Sequence, residues 1–262
     1  MIKYYHFARI AFGDHLSGRL RIFTRYLIFL LLDWVMISMW DLIYKSGYGP
    51  EQISVVDMGW YMAFSQMMFF LSPRLFIVID SDVRSGNVGY FLNRPIPYLW
   101  MRLSEGIGAL FGNLLIYYIV SVPFLYWMIG EFPSTGWFGI IAVMGGLVLA
   151  SVLHLLFQIL AGLSTFWTND AIFIYHSYQK FCLLFGGIYV PLALYPGFLS
   201  GEVLKFFPFA SMVGNPVSLI FAPSLVGFFE VLALQIFWLG FVGFGLSAFY
   251  RLCLRKVEVH GG

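Results

Sequence analysis

Charge is scarce in this sequence. Only 11% of its 262 residues are Asp, Glu, Lys or Arg and 60% are hydrophobic, whereas charged residues make up roughly a quarter of an average soluble domain. The mean hydropathy of +0.83 argues against a soluble domain, and the apolar runs approach the ~20 residues that a membrane-spanning helix needs. The period-two alternation of a membrane β-barrel is absent. We therefore expect an all-α integral membrane protein.

Motifs for ATP hydrolysis and for common hydrolases are also missing. The sequence contains no G-x-x-x-x-G-K-[S/T] phosphate loop, no H-E-x-x-H and no G-x-S-x-G. Its two cysteines, Cys182 and Cys253, and its five histidines are too scattered to predict a disulfide or a metal site. We expect a chain that is not an enzyme, binds no cofactor or metal itself and does not bind nucleic acid.

Apolar windows predict six membrane-spanning helices in one domain that covers residues 1–262. The windows lie at about 22–43, 58–79, 106–130 and 137–166, then in a fifth span that ends near residue 195, and at 225–250. The start of the fifth span is open. The "TND" at 168–170 would cap a helix that begins at Ala171, but Lys180 would then lie well along that helix.

The basic residues predict the orientation of these spans. With six spans both termini lie on one side, and thirteen of the fifteen Lys and Arg residues fall on that side. Because cytoplasmic loops are enriched in Lys and Arg, we expect both termini in the cytoplasm and the chain in the inner (plasma) membrane. The thirteen are Lys3, Arg9, Arg19, Arg21, Arg25, Arg74, Arg84, Arg94, Arg102, Lys180, Arg251, Arg255 and Lys256; Lys45 and Lys205 lie opposite.

Residues 1–21 precede the first span and are predicted to form an interfacial helix. Tyr4, Phe7, Ala8 and Ala11 recur at helical spacing among basic residues, which suits a helix on an anionic membrane surface. The alternative is a basic flank that only fixes the topology.

The segment 195–224 is apolar but is interrupted by prolines, among them Pro196, Pro208 and Pro216. A broken apolar segment has unsatisfied backbone groups and must be sheltered by protein in a membrane. We therefore expect short re-entrant helices on the outer side, mainly over 197–216.

Three polar residues fall within predicted spans. Asp33 lies near the middle of the first, and His154 and Gln158 lie four residues apart on the fourth, hence on one helix face. A polar lining of a substrate path explains these positions, and so do hydrogen bonds that hold the helices together. The two interpretations are equally good for Asp33, and the second fits His154 and Gln158 better.

The segment 80–97, "DSDVRSGNVGYFLNRPIP", joins the second and third predicted spans on the cytoplasmic side. "RSG" at 84–86 predicts a turn, and Pro95 and Pro97 restrict the backbone and stop a helix. Such a segment is stiff, exposed and partly apolar. It is therefore predicted to be a docking surface for a cytosolic protein that moves the helices.

At these residues the sequence resembles the type-2 ABC transporter permeases, in particular a six-span subfamily whose cytosolic loop reads I-x-x-G-x-[LV]-x-x-x-L-x-[KR]-P. Further segments that agree in order and spacing are "FW" at 166–167, "PLALYPGFL…FFPFASMVGNP" at 191–216 and the tail "RKVEVHGG". The loop residues that match are Val83, in place of the usual Ile, and Gly86, Val88, Leu92, Arg94 and Pro95.

This resemblance implies an exporter permease without its own ATPase domain. Two copies of a separate ABC ATPase subunit would use the ATP, and a second permease, identical or homologous, would complete the path in the lipid bilayer. Residues 1–21 would be the connecting helix. The ATPase would dock at Arg84, Gly86, Leu92, Arg94 and Pro95, the path would include Asp33, His154 and Gln158, and the outer gate would include Pro196, Pro208 and Pro216.

Two other functions remain open at the level of sequence. A membrane-embedded lipid-modifying enzyme would use Asp33 and His154, which would then have to meet at one depth. A membrane scaffold that transports nothing would need neither residue. The sequence names no cargo.

Overall fold

The computed structural model describes residues 2–92, 95–168 and 170–256, and within these ranges the chain is helical and has no β-strand. The first six helices are α1 (Ile2–Ser17), α2 (Arg19–Lys45), α3 (Val55–Leu71), α4 (Leu75–Arg84), α5 (Asn87–Leu92) and α6 (Tyr98–Ile129). The others are α7 (Gly136–Leu163), α8 (Thr165–Thr168), α9 (Ala171–Phe185), α10 (Gly201–Leu204), α11 (Pro208–Met212), α12 (Gly214–Ser218) and α13 (Leu225–Leu254), with 3-10 turns at Leu192–Leu194 and Gly197–Leu199.

Five stretches of the described chain are long and apolar enough to cross a membrane. They are Ile22–Lys45, Val55–Arg84, Tyr98–Ile129, Gly136–Thr168 and Leu225–Leu254. By length and composition, the prediction of a membrane protein with several apolar helices is therefore confirmed. Each of the five overlaps one of the predicted spans.

The predicted second span, 58–79, is divided into α3 and α4. The break lies at Ser72–Arg74 and contains Pro73, which has no N–H to continue the helical hydrogen-bond ladder. The Arg25 guanidinium donates to the Ser72 carbonyl oxygen at 2.6 Å, so a side chain satisfies part of the free end of α3.

The predicted fifth span corresponds to α9, which is not among the five candidates. This helix begins at Ala171, because the Asp170 carboxylate accepts a hydrogen bond from the Ile172 N–H at 2.8 Å and caps it. It has 15 residues, which gives a length of about 22 Å, and the hydrocarbon core is about 30 Å thick. Gly187, at φ 74°, follows its end.

The long helices have two distinct ends. We call the end that holds the start of α2 and the end of α13 the terminal end. There Thr165, next to α7, donates to Asp80 of α4 at 2.6 Å. At the opposite end the indole of Trp40 donates to the carbonyl oxygen of Tyr189 at 3.3 Å, and that of Trp60 donates to the carbonyl oxygen of Glu131 at 3.0 Å.

The core lies around α3 and α7. Residues 57–68 of α3 are all buried, and α7 buries side chains on most of its turns. By contrast α2 and α13 leave rows of large apolar side chains uncovered, including Leu27, Leu31, Phe237 and Phe241. Such faces suit contact with lipid tails.

Helix α1 packs closely on α6. A Cβ atom added at Gly108 of α6 would lie 2.0 Å from the carbonyl oxygen of Ala8, so the glycine allows the two backbones to approach. Phe7 of α1 also contacts a small buried cluster of Val88, Tyr98 and Met101. The structure thus places a helix where the interfacial helix is predicted; its position on a membrane surface stays a prediction.

The segment from Gly186 to Ser224 is irregular, and side chains from the long helices satisfy its carbonyl groups. Tyr61 donates to the Gly187 oxygen at 2.5 Å and Ser65 to the Ile188 oxygen at 2.7 Å. Gln235 of α13 donates to the Ser211 oxygen and to the Gly146 oxygen, at 3.0 Å each. The segment therefore has the shelter that broken helices need inside a membrane.

Candidate functional site

The described parts of the segment 80–97, residues 80–92 and 95–97, lie at the terminal end. Helix α4 ends at Arg84, Gly86 adopts a left-handed φ of 73°, and α5 follows immediately. Gly86 and Pro95 are exposed, and the Tyr90 side chain of α5 is 62% exposed. Leu92 closes α5 as its last residue. The predicted docking residue Arg94 lies outside the described residues.

A buried ion pair fixes the base of this segment, and we call it the latch: Asp82 of α4 with Tyr98, Arg102 and Glu105 of α6. The Asp82 carboxylate accepts from the Tyr98 hydroxyl at 2.6 Å and from Arg102 Nη2 at 2.5 Å. Arg102 Nη1 donates to Glu105 at 2.6 Å. Because both partners of the central pair are nearly covered by protein, the latch is more rigid and more costly to break than a surface ion pair.

Arg84 ties the same end of α4 to the corner between α7 and α9. Its guanidinium lies 3.0 Å from the Asp80 carboxylate and 3.9 Å from that of Asp170. Asp80 in turn accepts from Thr165 and, at 3.3 Å, from the Ala171 N–H. Arg84 is half exposed, so it is accessible to a partner while it holds this corner.

Aromatic contacts also join the latch to α5 and to α13. Arg102 lies 4.9 Å from the ring centre of Phe91 in α5. The Tyr98 ring stacks on Tyr250 of α13 with the centroids 6.3 Å apart. Together with the contact of Phe7, the base of the segment therefore touches α1, α4, α6 and α13.

Asp33 lies in the middle of α2 and is fully buried. Neither of its carboxylate oxygens has a hydrogen-bond partner. The Tyr117 hydroxyl on α6 is near enough to interact with it electrostatically. Burying a carboxylic acid without a hydrogen-bond partner costs folding free energy. Asp33 is therefore the strongest candidate for a functional residue within a span.

His154 and Gln158 make contacts between helices. The His154 ring bonds to the Tyr178 hydroxyl of α9 at 2.5 Å, and Gln158 Oε1 accepts from the Leu75 N–H at the start of α4 at 2.8 Å. No hydrogen bond in the described structure joins either residue to Asp33. Both α7 residues thus join neighbouring helices, and their place in a substrate path stays a prediction.

The three prolines of the predicted outer gate lie in different surroundings. Pro196 is exposed before a 3-10 turn, and Pro208 is half-buried at the first position of α11. Pro216 is buried in α12 against Gly146 of α7, where an added Cβ would lie 2.8 Å from the proline ring. A common gate surface for all three stays a prediction.

The latch could not be identified from the sequence motifs, although its residues are charged and close to an apolar window. Asp82 belongs to the polar segment, and Arg102 is one of many basic residues on that side.

Within the described ranges, no three His, Cys, Asp or Glu residues are grouped to hold a metal ion. The chain matches no family model, and no curated protein is significantly similar to it.

Proposed function

We propose that this chain is the transmembrane permease subunit of an ATP-binding cassette exporter. In this proposal it forms part of the substrate path with a second permease, identical or homologous, and two copies of a separate ABC ATPase bind at the terminal end. One observation carries the proposal: an exposed helical turn, α5, whose base is joined by the buried latch to a long apolar helix, α6.

This arrangement suits the transmission of force. A link that only joins two spans needs no buried ion pair, and burying one costs desolvation energy of several kcal/mol per ion before the pair is made. The latch is therefore better explained by a need for a fixed geometry between α4 and α6. A cytosolic motor that pushes on α5 would then move both helices without first bending the connection.

The proposal includes six crossings and cytoplasmic termini. Helix α9 is short of the bilayer thickness by about 8 Å, and the irregular residues that follow it up to Tyr195 can complete the fifth crossing because protein side chains satisfy their carbonyls. The terminal end then lies in the cytoplasm, in agreement with the distribution of Lys and Arg except for Lys180, which lies within α9. The segment 196–224, with its predicted gate, then faces outward.

Purification of the tagged chain from its native membrane, without a bait partner, tests this function. We expect an ATP-binding subunit to co-purify with two permease chains, in two copies, and to hydrolyse ATP. Purification of the same chain after solubilisation in a denaturing detergent serves as the control for non-specific capture. A chain that purifies alone, or with enzymes of lipid synthesis, would contradict the proposal.

A further inference from the structure

Two neighbouring open depressions follow the side of α2 that faces α3 and α6, toward the opposite end of the molecule. The larger, of about 590 Å³, is lined by residues that include Asp41, Tyr44, Glu51 and Val55. The smaller, of about 310 Å³, shares Asp41 and Val55 with it and reaches inward to Ile37 and Trp34. We call the two together the α2 groove.

Asp33 lies just beyond the inner end of this groove. Ile37 lines the smaller cavity and is four residues after Asp33, so both lie on one face of α2 about 6 Å apart along its axis. Asp33 is fully buried, and both carboxylate oxygens lack a partner. The groove thus leads toward an acidic group that the protein itself leaves unpaired.

Two isoleucines lie at the inner end of the groove, which we call its floor. Ile37 of α2 and Ile129 of α6 both line the smaller cavity, and both approach Gly59 of α3, where an added Cβ would lie 3.2 Å from Ile129 and 3.7 Å from Ile37. Both are flexible side chains, and their rotation would widen the inner end of the groove on the side of Asp33.

The chemistry of the groove favours a cation. Asp41 is paired with Lys45 at 2.6 Å. Among the described residues that line the groove or lie beyond its floor, Glu51 at the mouth and Asp33 are the acidic groups without an ion pair. The aromatic rings of Trp34 and Tyr44 line the walls, and ring faces attract cations. An anion would be repelled by Glu51 at the mouth.

The same features favour an organic cation over a divalent metal ion. Ca²⁺ and Mg²⁺ need about six or more oxygen ligands, and a single carboxylate between apolar helices does not provide them. An organic cation needs one counter-charge and aromatic or apolar walls. Since Trp34 is 56% exposed at the middle of the span, an apolar ligand can also enter from the lipid side.

We propose that the α2 groove and Asp33 bind a lipophilic organic cation, such as a quaternary ammonium or phosphonium. This inference rests on the proposed function in that it gives the exporter a class of cargo. Binding itself requires neither ATP nor an ATPase. A failure of binding and a failure to recover an ATPase are therefore separate results.

Equilibrium dialysis of the purified chain with radiolabelled tetraphenylphosphonium tests the site, with protein-free micelles as the blank. Tetraphenylborate has the same shape and the opposite charge, so the difference between the two ions isolates the effect of charge. We expect saturable binding of the phosphonium and none of the borate above the blank. Asp33→Asn is expected to weaken phosphonium binding at least about tenfold, and Asp33→Glu to keep most of it.

A second variant tests the route and keeps the carboxylate. Ile37→Trp fills the inner end of the groove and is also expected to weaken phosphonium binding about tenfold or more, whereas Ile37→Ala is expected to preserve or strengthen it. If Asp33→Asn does not fold, the two Ile37 variants decide the question. Absence of saturable phosphonium binding, equal binding of both ions, or unchanged affinity in Asp33→Asn or Ile37→Trp would overturn the proposal.

Discussion

Arg102→Met is expected to lower the free energy of unfolding by about 3–5 kcal/mol. The change removes the cation of the latch but keeps most of the side-chain volume. The Asp82 carboxylate then loses Arg102 and remains largely buried, with only the Tyr98 hydroxyl to stabilise it. The measurement is thermal or denaturant unfolding of the purified protein in detergent.

The double variant Asp82→Leu/Arg102→Met is the matched control. It removes both charges, so no uncompensated ion stays buried, and an apolar pair often replaces a buried ion pair at little cost. Glu105 then loses its partner but is 27% exposed and can be solvated. We expect the double variant to be clearly more stable than Arg102→Met. If the double variant is instead the less stable of the two, the latch is not a coupled pair.

Gly108→Leu is expected to destabilise the protein by about 1–3 kcal/mol and to release α1 from α6. A Cβ at this position meets the backbone of Ala8 at 2.0 Å, and backbone atoms cannot rotate away as the end of a side chain can. A longer side chain makes the clash worse. The readouts are the unfolding temperature and the rate of proteolysis within α1.

Gly245→Leu is the control for this prediction, because Gly245 is also a glycine inside a long helix. No atom lies within 4 Å of a Cβ added there, and the position is exposed. The change in helix propensity is the same in both variants, so it cancels in the comparison. Equal stability of the two variants would show that the close approach of α1 and α6 contributes nothing.

Apolar length predicted the positions of most long helices, because backbone groups in lipid must be satisfied within each helix. The predicted first and sixth spans, 22–43 and 225–250, lie within α2 and α13. The third span, 106–130, starts eight residues later than α6. The first turns of α6 contain Arg102 and Glu105, which lower the hydropathy although their charges are paired.

The candidate site was only partly predictable. The turn between α4 and α5 follows from Gly86. The latch instead joins residues 20 positions apart in two helices, and no local pattern encodes that contact. The same holds for Asp33. Its position in a span is visible in the sequence, whereas its lack of a partner depends on how α2, α3 and α6 pack.

The central claim is that an ATP-binding subunit docks on α5, and site-specific crosslinking tests it most directly. Tyr90→Cys in α5 and Tyr48→Cys at the opposite end both replace exposed tyrosines, 62% and 86% exposed, and the native Cys182 and Cys253 are buried. Each variant is labelled with a maleimide that carries a benzophenone and is irradiated in native membranes. We predict a crosslink from residue 90 to an ATP-binding subunit and none from residue 48. A crosslink to that subunit from residue 48, or none from residue 90, would contradict the account.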